Sequence, residues 1–112
     1  MHRQIEKTER LYLSIYGERL DSIRLKHEYP EIYNASLKQN PKKIDWNLIA
    51  SNQTLSENFI REFQDRVNWD DISYYQTLSE PFIREFQDRV NWYEISAYQM
   101  LSKEFRKEFN IE

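Results

Sequence analysis

Two stretches decide the fold: TLSENFIREFQDRVNW at 54–69 and TLSEPFIREFQDRVNW at 77–92. They differ only at Asn58 versus Pro81. Fifteen identities in 16 positions mark an internal duplication. The frame extends beyond the duplicated segment. Trp46, Trp69 and Trp92 recur every 23 residues, and Ile49, Ile72 and Ile95 keep the same phase. So do Gln53, Gln76 and Gln99, then Leu55, Leu78 and Leu101, then Ser56, Ser79 and Ser102. Phe59, Phe82 and Phe105, followed by Phe63, Phe86 and Phe109, complete the pattern.

Each repeat reads as two short helices. Asp45, Asn68 or Asn91 precedes the first, where an Asx side chain can accept from the orphan N–H groups of the opening turn. Asp71 and Glu94 sit three residues on, near the positive end of the helix dipole. Trp69, Ile72, Ser73 and Gln76 then share one helical face. Ser56, Ser79 or Ser102 opens the second helix, and Pro81 falls in the first turn, where a missing N–H costs little. Phe59, Phe63 and Val67 form an apolar stripe at i, i+4 and i+8, repeated by Phe82, Phe86 and Val90. A pair this short cannot bury its own stripe, but stacked neighbours can. The expected fold is therefore all-α. Three tandem repeats, 45–67, 68–90 and 91–112, stack as a compact solenoid of right-handed type, with residues 1–44 as an N-terminal helical cap.

Residues 1–44 match the repeat poorly. Ile5, Tyr12, Ile15/Tyr16, Arg19/Leu20 and Ile23 fit a helix to about Tyr29, interrupted at Gly17. Leu11, Leu13 and Ile15 also alternate with Tyr12, Ser14 and Tyr16, as a strand would, but no partner strand is apparent. Pro30 starts a further helix that ends near Asn40-Pro41. Ile44-Asp45-Trp46 matches Val67-Asn68-Trp69, so this helix reads as a degenerate half-repeat.

The unit W-x-x-I-S-x-x-Q-x-L-S-E-x-F-I-R-E-F-x-D-x-V-[ND] resembles a short helical repeat of uncharacterised proteins from large DNA viruses, phages and firmicute or fusobacterial genomes. The resemblance covers residues 44–112. It implies helical repeats and a mobile-element origin, and it brings no catalytic residue. Repeat 3 departs from the pattern: Lys103 replaces Glu and Arg106 replaces Ile, as a polar end cap would. By analogy of size and origin, the resemblance points to a small inhibitor of a host enzyme, of the anti-CRISPR kind.

Composition narrows the alternatives. The 112 residues include three Trp, eight Tyr and six Phe, but only one Gly and three Pro. That is ample aromatic core material and too few turn residues for a β-sandwich. There is no Cys, which excludes disulfides, zinc thiolates and thiol nucleophiles. MHRQIEKTER has no apolar signal core, and no run approaches a membrane span. A cytoplasmic protein, in bacterial or infected-host cytosol, is expected.

The net charge of −3 divides into +3 over 1–44 and −6 over 45–112. An acidic module repels a phosphate backbone and suits a basic protein surface. It also serves simply as a solvated surface. His2 and His27 are far apart. Asp70-Asp71 diverge by about 100° on a helix, which suits capping better than a metal. No metal, cofactor or catalytic residue is expected, and the chain reads as a non-enzyme. The carboxylates Glu57 and Glu62 are expected to pair with Arg61 and Arg66 on the surface. The Trp residues lie in phase with the Ile–Gln face, which favours core over base stacking.

The repeats diverge mainly at 47/70/93, 48/71/94, 51/74/97 and 52/75/98, off the core face of the first helix. Drift explains this, and so does a surface tuned for a partner, because Tyr and acids serve interfaces well. The candidate partner-binding residues are Asp70, Asp71, Tyr74, Tyr75, Tyr93, Glu94 and Tyr98. The expected partner is a protein with a basic surface, such as a nucleic-acid-processing host enzyme. No membrane role is expected, and homo-oligomerisation stays open. The alternative is nucleic-acid binding by the basic N-terminal region through Arg3, Lys7, Arg10, Arg19, Arg24 and Lys26.

Overall fold

A computed structural model describes residues 18–37 and 44–112. Among the described residues there are eight α-helices and no strand, and no helix is long and apolar enough to cross a membrane. Contacts divide the chain into two units, Met1–Asp45 and Trp46–Glu112.

In the first unit, α1 (Glu18–Glu28) packs on α2 (Pro30–Leu37). Tyr29 bridges them: its N–H donates to Leu25 O, and its carbonyl accepts from the Tyr33 N–H. Leu25 is fully buried whereas Ile23 is 56% exposed. The stripe expected through Ile23 is therefore rotated toward Leu25. The strand-or-helix question at 11–16 and the helix end near Asn40-Pro41 lie outside the described residues.

The second unit alternates first and second helices: α3 (Trp46–Asn52), α4 (Glu57–Glu62), α5 (Trp69–Tyr75), α6 (Glu80–Glu85), α7 (Trp92–Tyr98) and α8 (Lys103–Glu108). The starts follow from the caps. The Ser56, Ser79 and Ser102 hydroxyls accept from the N–H of Phe59, Phe82 and Phe105. Asn68 Oδ1 accepts from Asp70 and Asp71, and Asn91 Oδ1 from Glu94. Pro81 occupies the first turn of α6.

The second helices are shorter than their stripe. α4 ends at Glu62, and Phe63 is its C-cap with φ −108°. Val67 stays in line because its N–H bonds Phe63 O in the turn that follows. Gln64 Nε2 caps the freed Arg61 carbonyl. A helix end whose carbonyls find side-chain donors can stop without a glycine.

The first helices pack in series, α3 on α5 and α5 on α7. Ile49, Ile72 and Ile95 are buried along this row, with Phe59, Phe82 and Phe105 opposite. Each Trp lies on the phenylalanines of its own repeat: Trp69 is 5.0 Å from Phe86 and Trp92 is 4.8 Å from Phe109, between ring centroids. The indole N–H of Trp69 donates to Gln64 O, and that of Trp92 to Gln87 O. The Trp residues thus edge the core, half-buried, and Trp69 and Trp92 have their polar atom satisfied.

The strongest tie between repeats is a buried glutamine. Gln76 Oε1 accepts from Leu55 N, and its Nε2 donates to Ala50 O and Gln53 O at 2.6 and 2.7 Å. Gln99 does the same to Leu78 N, Ser73 O and Gln76 O. One amide satisfies the end of the preceding first helix and the start of its connection. Buried backbone groups left unpaired would cost about 1–3 kcal/mol each.

Arg61 departs from the expectation that it pairs with Glu57 of its own repeat. Arg61 forks onto Glu85 of the next repeat, and Arg84 onto Glu108, each with two bonds of 2.9–3.0 Å. Arg89 reaches back to Asp65. Glu57 accepts from the Ser79 N–H and hydroxyl, and Glu80 from those of Ser102. The packing of neighbouring repeats brings the carboxylate of an adjacent repeat within reach of each of these guanidinium groups, and Arg61 also bonds Asn58 of its own helix.

Candidate functional site

The candidate surface is built by the ends of α5 and α7. Tyr75 and Tyr98 occupy equivalent repeat positions, and Tyr74 fills the gap between them. The Tyr74 ring centroid is 4.5 Å from that of Tyr75 and 4.5 Å from that of Tyr98, both edge to face. These rings are 43, 52 and 57% exposed. Contacting aromatic rings left in solvent at a repeat junction form a preorganised patch rather than three independent side chains.

Four of the expected residues lie on the same two helices. Tyr93, one turn before Ala97, is 77% exposed. Asp70 is exposed and accepts from Asn91 Nδ2 at 2.8 Å, tying the starts of α5 and α7 together. Asp71 is half-buried in the first turn, its N–H held by Asn68. Glu94 is half-buried, and its Oε2 is shielded from solvent without a hydrogen-bond partner. The structure thus joins Tyr74, Tyr75 and Tyr98 by direct contact. Asp70 is spent partly on the repeat junction.

The Tyr98 phenol is held above its ordinary value of 10.0. Tyr74 is the main cause, followed by partial burial and the negative charges of Glu94 and Tyr93. Tyr98 therefore keeps its hydroxyl proton. Met100, 97% exposed and two residues past Tyr98, is a further apolar neighbour in sequence. The sequence signalled it as the one break in the Thr54, Thr77 series, a break the list of candidates missed.

Among the described residues no cluster of His, Asp and Glu could hold a metal ion. Of the basic N-terminal candidates, Arg3, Lys7 and Arg10 lie outside the described residues. Arg19 lies in α1, and nothing further is described of its side chain. Arg24 is exposed on α1, and the Lys26 ammonium stands 6.0 Å from the Tyr33 ring centroid.

Comparison with protein-family models, curated proteins and solved structures returns no match for this chain.

Proposed function

We propose that residues 46–112 form a non-enzymatic protein-binding module whose tyrosine and acid surface covers a basic face of a partner protein. The observation that carries this reading is the contiguous exposed ring patch of Tyr74, Tyr75 and Tyr98. Tyrosine buries large area at low rotamer cost and is enriched among binding hot spots. Asp70, Asp71 and Glu94 on the same helices supply negative potential, which steers a basic partner and repels nucleic acid. In this reading the module is a short solenoid of right-handed type, and the divergent first-helix positions are its tuned face. Its size and repeat suit a phage or mobile-element inhibitor that blocks a host nucleic-acid-processing enzyme by steric and electrostatic means.

Cross-linking mass spectrometry with the full chain in lysate of its source cells tests the reading. A partner cross-linked by the native chain and lost by a Tyr74→Ala/Tyr75→Ala/Tyr98→Ala variant of unchanged helicity supports it. Equal capture by both removes this surface as the site.

A further inference from the structure

The molecule shows twice how it holds a guanidinium. Arg61 lies over the Phe82 ring, its Cζ 5.5 Å from the centroid, while it forks onto Glu85. Arg84 does the same on Phe105 and Glu108, again at 5.5 Å. An aromatic face beside a carboxylate suits arginine, whose flat cation stacks and forks at once.

The first helices offer the same two groups without the arginine. Asp70 precedes Tyr74, Asp71 precedes Tyr75 and Glu94 precedes Tyr98, each by four residues. That spacing puts each acid one turn from its ring on the same helix face. The Tyr74 ring touches both other rings, so the ring–acid pairs of α5 and α7 adjoin.

Nothing on these helices neutralises the acids. α3, α5 and α7 contain no Lys or Arg. The second helices and the turns after them differ: Arg61 meets Glu85, Arg84 meets Glu108 and Arg89 meets Asp65. Among the described residues no cation pairs with Asp70, Asp71 or Glu94. Asp70 accepts from the neutral Asn91 amide instead. Glu94 Oε2 has no donor at all and is shielded from water, which is the costly state for a carboxylate oxygen. The Tyr98 phenol, raised chiefly by Tyr74, also feels the charge of Glu94, so this acid and this ring are electrostatic neighbours.

Resting on the reading of residues 46–112 as a module for a basic partner, we infer that the surface of Tyr74, Tyr98 and Glu94 receives an arginine side chain of that partner, its guanidinium laid on the tyrosine rings and forked onto Glu94. Lysine carries the same charge but neither stacks flat nor forks, so it is the weaker occupant.

The probes are two acetylated, amidated peptides, GGRGGRGG and GGKGGKGG, titrated into the 15N-labelled full chain and followed by amide chemical shifts. Saturable shifts confined to residues 70–75 and 93–98 are expected at about 1–10 mM peptide. The arginine peptide should bind about threefold tighter than the lysine peptide at equal ionic strength. Glu94→Gln keeps the side-chain shape and should remove that preference. Tyr98→Leu should weaken the arginine peptide about threefold. Both variants should leave the circular dichroism unchanged. Equal binding of the two peptides at this surface overturns the arginine assignment and leaves the basic-partner reading standing. Shifts that do not saturate, that centre elsewhere, or that ignore Glu94→Gln overturn the assignment as well. The basic-partner reading itself falls only if cross-linking to the partner survives the triple tyrosine variant.

Discussion

Gln76 and Gln99 carry more of the architecture than any charged residue. Each amide is buried and makes three bonds to main-chain atoms 21–26 residues away. Gln76→Leu should lower unfolding free energy by roughly 2–4 kcal/mol, because one N–H and two carbonyls lose their partner in a site water cannot easily enter. Denaturant unfolding of the full chain measures it, and a loss below about 0.5 kcal/mol would show that the carbonyls find other donors. The exposed ion pairs behave differently. Arg61 and Arg84 hold the Glu85 and Glu108 carboxyls below their ordinary 4.5. A depressed folded value means the contribution is complete above the unfolded carboxylate range and is lost as pH falls through the folded value. Thermal unfolding of Glu85→Gln/Glu108→Gln should therefore differ from the native chain at pH 7 and converge with it in strong acid. Such solvent-exposed pairs are individually weak, so the difference should also shrink in high salt.

The helices of the second unit are six or seven residues long, too short to persist alone in water. Their starts are set by caps, and a cap substitution reads directly on stability. Ser79→Ala should cost about 1 kcal/mol through the lost bond to Phe82 N, with a further loss from the Glu57 bond that Ser79 also donates. The natural difference between the duplicated helices offers the reverse test. The preceding serines have nearly identical backbones, φ −72° and ψ 155° at Ser56, φ −74° and ψ 155° at Ser79. Asn58→Pro should thus fit α4 as Pro81 fits α6. It should raise stability by roughly 0.5 kcal/mol by restricting the unfolded chain, less whatever the Asn58–Arg61 bond contributes. A loss of stability would mean the two second helices are not equivalent at that turn. At this scale most of the reading was legible in the sequence. Asx and Ser caps, the proline in the first turn and the Phe stripe are local signals with local causes. The early end of α4 at Phe63 was not, because a stripe spaced i, i+4 is kept as well by a helix turn plus an i+4 loop bond as by a longer helix.

In the second unit taken whole, buried glutamines and exposed ion pairs tie neighbouring repeats to one another. Ile60 and Ile83 are fully buried, and Arg106 stands at their position in repeat 3 with its guanidinium on the Glu112 carbonyl. Arg106→Ile with Lys103→Glu gives repeat 3 the residues of the other repeats at these positions and should produce self-association visible by light scattering. Unchanged mass at high concentration would show that Arg106 and Lys103 do not oppose self-association. The sequence by itself determined the helical class, the 23-residue frame, the caps and which positions vary, because periodicity and capping depend on neighbours a few residues apart. It also named the tyrosines and acids of the candidate surface from their divergence between near-identical repeats. Only the tertiary structure decided that Arg61 meets Glu85 and not Glu57, and that Gln76 clasps the preceding repeat. It alone showed that Tyr74 bridges Tyr75 and Tyr98. Each of these depends on the register in which one repeat lies against the next. That register is set by burial and hydrogen bonding across more than twenty residues, which a pattern read along the chain does not contain.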